Sequence, residues 1–302
     1  MNELIEDTLK KNVAKLSELG DTESQMITKG NSQFPSVDAI KEMVSLVKSA
    51  VFPNFYDRQR NSRTIRAYFI GTAIERLHTL LCVEIAKALN YDREALCDGS
   101  CETQACKLSL SFIDSMPRIK HLLYTDVKAM FENDPAVDNY GEIILSYPVV
   151  KAMISYRVAH ELLKLGVPVI PRMLTELAHS ATGIDIHPGA EIGEYFAIDH
   201  GTGVVIGETC IIGDHVTLYQ GVTLGAKNFT LDSNGHPVNV PRHPILEDYV
   251  TVYSNASILG RITVGRGSVI GGNVWLANSV PPNSKVMQRK AVSANFTDGL
   301  GI

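Results

Sequence analysis

From Ile186 onward an apolar residue returns at every sixth position: Ile186, Ile192, Ile198, Val204, Cys210, Val216 and Val222, then, past a gap, Leu246, Val252, Ile258, Val264, Ile270 and Leu276. In a chain that is 45% hydrophobic, the odds of such a run in one frame are about 3 in 100,000. A period of six fits neither the turn of a helix nor the alternation of a strand. It does fit short strands joined by tight corners on a three-sided parallel β-helix, in which three hexads close a coil of about 18 residues.

At 302 residues the chain exceeds what one hydrophobic core organises, so two regions are expected. The repeat shows where they divide. Upstream of about residue 183 the hexad is absent and helix formers predominate, with helices expected over Ile65 to Asn90, Pro117 to Asn133 and Tyr147 to Leu165. The expected fold class is α+β in two regions: an N-terminal α-helical domain, then a C-terminal left-handed parallel β-helix of hexapeptide repeats. The expected boundaries are an N-terminal extension over 1–60, helical or partly flexible, a helical domain over 61–183, the β-helix over 184–285 with a loop at 226–244, and a tail over 286–302.

A net charge of -5, with no run of Lys and Arg long enough to track a phosphate backbone, argues against nucleic acid as a partner. No segment has the length and apolarity of a signal peptide or membrane span, so a cytoplasmic protein with no membrane contact is expected. Five cysteines, an odd number, suggest no disulfide framework. Cys97, Cys101 and Cys106 lack a CxxC pair and read as an ordinary helix-turn segment, while Cys210 takes a core position of the repeat. No metal is expected.

The polar residues that carry chemistry lie around the repeat. Asp185-Ile-His-Pro is followed by Asp199-His-Gly-Thr-Gly, which puts Asp185 and His200 on successive coils. A carboxylate there can orient the imidazole and stabilise its protonated form, making His200 a general base. Where the long interruption Thr223 to Ile245 rejoins the coil stands Arg242-His243-Pro244; the guanidinium fork suits a carboxylate and the imidazole adds a hydrogen bond. Asp134 and Asp199 are acids able to receive an ammonium group, and with Arg242 opposite they form the two clamps that a free amino acid requires. Asp134, before Pro135, also reads simply as an N-cap.

These segments, together with Val205-Ile-Gly-Glu-Thr209, Gly221-Val-Thr-Leu-Gly225 and Asp134-Pro-Ala-Val-Asp138, occur in the order in which they occur in serine O-acetyltransferases, and from about residue 120 to 285 the chain resembles that family. The resemblance implies transfer of acetyl from acetyl-CoA to the hydroxyl of L-serine, giving O-acetyl-L-serine and CoA in the first step of cysteine biosynthesis. It implies His200 as general base and Asp185 as its orienting carboxylate. Asp134, Asp199, Arg242 and His243 would bind the amino acid, with Glu208 near them, and Gly225, Ala226, Ser254 and Lys285 would lie on the acetyl-CoA side. No permanently bound cofactor is implied.

By the same resemblance the protein is a homotrimer or a dimer of trimers, with L-cysteine as feedback inhibitor. Its terminal Ile302 would enter the active site of O-acetylserine sulfhydrylase. Two alternatives share the scaffold. One is a hexapeptide acyltransferase with a different amino acid or a sugar as acceptor; the charges of both signs at Asp134 and Arg242 favour a zwitterion over a sugar. The other is a γ-class carbonic anhydrase, which would hold zinc through residues such as His187, His200 and His215.

Overall fold

The computed structural model describes residues 2–26, 34–56, 63–91 and 100–288. Helices α1 (Asn2–Ser17) and α2 (Asp21–Met26) open the chain. In α3 (Val37–Val51), Ile40, Met43, Val47, Ala50 and Val51 recur at helical steps and are buried, and the Ser36 hydroxyl caps the first turn by accepting the Ala39 N–H. Packed core therefore reaches back to Ile40, inside the stretch that the sequence reads as an extension.

After α4 (Pro53–Tyr56), α5 (Arg63–Tyr91) packs along α6 (Cys101–Asn133). The sequence starts α6 at Pro117. The structure starts it sixteen residues earlier, at a Ser100 cap, and carries Pro117 within the helix. Cys101 is disulfide-bonded, which corrects the expectation of an ordinary helix-turn segment without a disulfide, while Cys82, Cys106 and Cys210 are free. Helices α7 (Tyr140–Ser146), α8 (Pro148–Lys164) and α9 (Ile170–Thr182) complete the region. Gly183, at φ 70°, ends α9 in the left-handed conformation and donates its N–H to the His179 carbonyl.

The repeat forms three parallel sheets around a solenoid of about 5 turns, matching a left-handed β-helix. Its first face carries Asp185–Ile186, Val205–Ile206, Thr223–Gly225, Ser257–Leu259 and Trp275–Leu276. The second carries Glu191–Ile192, Ile211–Ile212, Ile245–Leu246 and Thr263–Val264, and the third Ala197–Asp199, Thr217–Tyr219, Thr251–Val252, Val269–Ile270 and Lys285–Val286.

The first coil departs from the expected length. Asp185 pairs with Val205 and Ala197 with Thr217, a repeat of 20 residues, whereas Val205 pairs with Thr223 at the expected 18. The two additional residues lie between Asp199 and Val205 and build a wider corner, where His200, Gly201 and Gly203 take φ values of 58°, 91° and 78°. Strand positions therefore shift to Ile206, Ile212, Leu218 and Leu224. Val204, Cys210, Val216 and Val222 are buried as expected, but at corners two residues before those strand positions. The long loop restores the original frame, since Leu224 pairs with Ile258. Because each hexad buries both a corner and a strand residue, one apolar frame runs through the slip undisturbed.

A buried ion pair joins the two regions. Arg157 of α8 donates to Asp126 of α6 at 3.0 and 3.2 Å and to the carbonyls of Ile192 and Gly193 at 2.6 and 2.7 Å. The Phe196 N–H donates to the same carboxylate. Every polar edge of the pair is thus used, which is what a buried charge requires.

Candidate active site

The corner between the third and first faces holds an acidic cluster. Asn133, the last residue of α6, donates to the Thr217 hydroxyl at 3.1 Å and so pins the helix end to the third face. Asp134 follows as the C-cap of α6, correcting the N-cap reading; the cap that opens α7 is Asn139. The Asp134 carboxylate accepts the Tyr147 hydroxyl at 2.6 Å and the Ala136 N–H at 2.9 Å. The Tyr147 bond, ahead of the Ala136 bond, holds the carboxyl below its ordinary range, and the same bond pushes Tyr147 up to about 12.

His200 projects from the widened corner with its side chain 71% exposed, Nε2 standing 3.8 Å from the Asp199 carboxylate. Sequence reasoning missed Tyr147, which looks like an ordinary residue before Pro148 until the fold brings it against Asp134. Asp185 opens the first face, where its carboxylate gathers with Glu176 and His179, one ligand atom of each within 4.8 Å of the others. Arg172 already pairs with Glu176 at 2.5 Å.

The opposite corner, between the first and second faces, holds the basic cluster. Arg242 donates to Glu208 at 2.7 Å and to Asn239 at 3.0 Å, and Asn239 donates to the other Glu208 oxygen at 3.2 Å. Burial works to raise the Glu208 carboxyl, and the bonds from Arg242 and Asn239 outweigh it, leaving the group below its ordinary value. His243 is 7% exposed. Burial, then the Arg242 charge, pushes its imidazole down to about 4. Burial, then Arg172, lowers His187 nearby. Arg261 donates to the carbonyls of Thr209 at 2.6 Å and His243 at 3.0 Å, bracing the backbone on both sides.

One chain therefore does not place Arg242 opposite Asp134 and Asp199; the clusters stand at the two edges of the first face. The residues expected on the acetyl-CoA side are likewise dispersed. Gly225 and Ala226 lie at the first-to-second corner, Ser254 at the third-to-first corner, and Lys285 on the last strand of the third face. His187, His200 and His215 occupy three different corners. His215 is sandwiched between the rings of Tyr195 and Tyr249, at 4.4 and 4.7 Å between centroids, and His187 Nδ1 accepts the Gly189 N–H. That placement does not assemble a three-histidine zinc site within the chain.

No protein-family model matches the chain. A plasmid serine acetyltransferase of Synechococcus elongatus is 44% identical over 276 residues, spanning 89% of this chain and 86% of that protein. Among solved structures, isoform 3 of serine acetyltransferase from Entamoeba histolytica, in complex with cysteine, superposes with a TM-score of 0.71 and 29% identity over 99% of this chain and 97% of its own. Serine acetyltransferase from Brucella abortus, in complex with coenzyme A, gives a TM-score of 0.55 and 26% identity over 85% and 96% of the two chains.

Proposed function

The chain belongs to the serine acetyltransferase family, and on that premise we propose that His200 is the general base of acetyl transfer from acetyl-CoA to L-serine, with Asp185 orienting it. The observation that carries this reading is the arrangement around His200: an exposed imidazole on a widened corner, beside the Asp199 carboxylate. Asp134 and Asp199 receive the serine ammonium, which brings the hydroxyl to Nε2. His200 takes the hydroxyl proton as the oxygen attacks the thioester carbonyl. The tetrahedral intermediate collapses with loss of the CoA thiolate, and the imidazolium returns the proton to sulfur. The products are O-acetyl-L-serine and CoA, and no covalent enzyme intermediate is needed.

The serine carboxylate goes to Arg242 and His243 of a second copy, because one chain holds the two half-sites at opposite edges of a face. A contact that sets one edge of a chain against the other edge of the next is heterologous; it closes into a ring when the rotation between copies allows, and three prisms about a threefold axis satisfy this. The assembly is thus a homotrimer, or a dimer of such trimers, with the Gly225, Ala226, Ser254 and Lys285 contacts to acetyl-CoA also drawn from two chains. L-Cysteine, whose thiol is close in shape to the serine hydroxyl, competes for the same clamps; the cysteine-bound Entamoeba histolytica relative supports this. Among the described residues no helix is long and apolar enough to cross a membrane. Separately, a cytoplasmic reaction is proposed on the strength of the family resemblance.

A thiol-release assay with acetyl-CoA against serine, homoserine and sugars tests the reading. Serine should be the preferred acceptor, with cysteine inhibiting competitively. Preference for a sugar, or no CoA release with serine, would overturn it.

A further inference from the structure

We infer that Thr209 is a positioning residue that locks His243 in the neutral tautomer with its hydrogen on Nε2, making His243 a hydrogen-bond donor to the acceptor substrate and barring it from acting as a base. The substrate role rests on the function proposed above; the tautomer rests on geometry alone.

The backbone N–H of Thr209 lies 3.1 Å from His243 Nδ1. An amide N–H can only donate, so Nδ1 must present a lone pair. The Thr209 hydroxyl reinforces this. Its oxygen accepts the Arg242 N–H at 2.9 Å and the His243 N–H at 3.1 Å, which occupies its lone pairs. Its own hydrogen remains to be donated, and Nδ1 stands 2.9 Å away. Two donors therefore converge on Nδ1, and the one hydrogen of the neutral ring belongs to Nε2.

Protonating Nδ1 would set its hydrogen against both donors, and the charge would lie beside Arg242, with Arg261 and His187 also opposing it and only Glu208 favouring it. The hydrogen bonds that the ring makes to described residues all fall on Nδ1, so Nε2 is the ring atom left for a ligand. A substrate carboxylate bound to Arg242 would accept that N–H. The fold thus assigns the two histidines opposite duties: His243 donates, and His200, with no such lock, is left to take the proton. Sequence reasoning found His243 but could not see the lock, because Thr209 lies thirty-four residues away and meets it only after the long loop has closed.

Magic-angle-spinning 15N spectra of histidine-labelled enzyme, with His243→Gln assigning the resonance, read the tautomer directly at neutral pH. The Nε2–H form should dominate in the wild type; an Nδ1–H or doubly protonated ring would overturn the inference whatever the enzyme acetylates. Thr209→Val removes the hydroxyl and should raise the KM for serine about tenfold or more, leave the KM for acetyl-CoA unchanged, and populate other His243 forms. Thr209→Ser should restore all three. An unchanged serine KM and His243 resonance in a folded Thr209→Val enzyme would sink the positioning role. Absence of serine acetylation by the wild type would instead count against the proposed function, leaving the spectral result standing.

Discussion

The imidazole of His243 fills the space that a side chain at Gly207 would need: a Cβ built on Gly207 would overlap the Cδ2 and Nε2 atoms of the ring. Gly207 is not in the left-handed region, so the demand is for space and not for a special backbone angle. His243 cannot swing aside freely, because Thr209 holds its Nδ1. Gly207→Ala should therefore displace the ring and raise the KM for serine at least about tenfold, with the KM for acetyl-CoA little changed. Steady-state kinetics with each substrate varied in turn checks this, and wild-type constants would show that the ring yields without consequence.

If the active site forms between copies, two inactive chains should repair one another. His200→Asn suits the test because asparagine tolerates the φ of 58° at this corner. Alone it should lose about 10² to 10⁴ in kcat with its melting temperature kept, since the side chain is exposed. Arg242→Ala should fail through serine binding. Unfolding and refolding the two together should recover a fraction of activity, because some seams then carry neither substitution. No recovery would place both half-sites' work within a single chain.

Histidine burial gives stability a defined pH dependence. His243 lies at about 4 in the folded protein against an ordinary 6.5, so between those values the unfolded chain binds more protons. The contribution is fully present above about pH 6.5 and is lost as pH falls toward the folded value. His187 and His160, both lowered chiefly by burial, act in the same direction. Melting temperature followed from pH 7.5 down to 4.5 should drop, and His243→Gln should flatten part of that drop. A parallel profile for the variant would contradict the assignment.

Asp126→Ala would leave Arg157 buried, only 3% of its side chain exposed, without its counter-charge. Breaking such a pair costs about 3–5 kcal/mol, and Asp126 also holds the Phe196 N–H. Chemical denaturation should show a loss of that order, with the junction between helices and solenoid opening first by hydrogen exchange. A loss below about 1 kcal/mol would mean that the carbonyls of Ile192 and Gly193 suffice for the guanidinium.

Ile302 lies outside the described residues, as does the rest of the tail from residue 289. Deleting it should abolish co-elution with O-acetylserine sulfhydrylase while leaving acetyl transfer intact. Unchanged co-elution on gel filtration would remove the docking proposal.

What the chain alone determined follows from local and periodic physics. A six-residue apolar beat admits few folds other than a parallel solenoid, and the side chains able to move a proton or clamp charges of both signs, His200, Asp185, Asp134, Asp199, Arg242 and His243, are legible from type and order. The two-residue slip at His200 was not legible, because a hexad with two buried positions presents the same apolar frame on either side of it. Nor were the N-terminus of α6, the C-cap role of Asp134 or the contacts of Tyr147 and Thr209. Those depend on which distant groups the closed coils and packed helices bring within hydrogen-bond reach, and no spacing along the chain encodes that. The separation of the two charged clusters belongs to the tertiary structure as well: only a three-sided prism, with each cluster at its own corner, sets the acidic and the basic residues at opposite edges of one face.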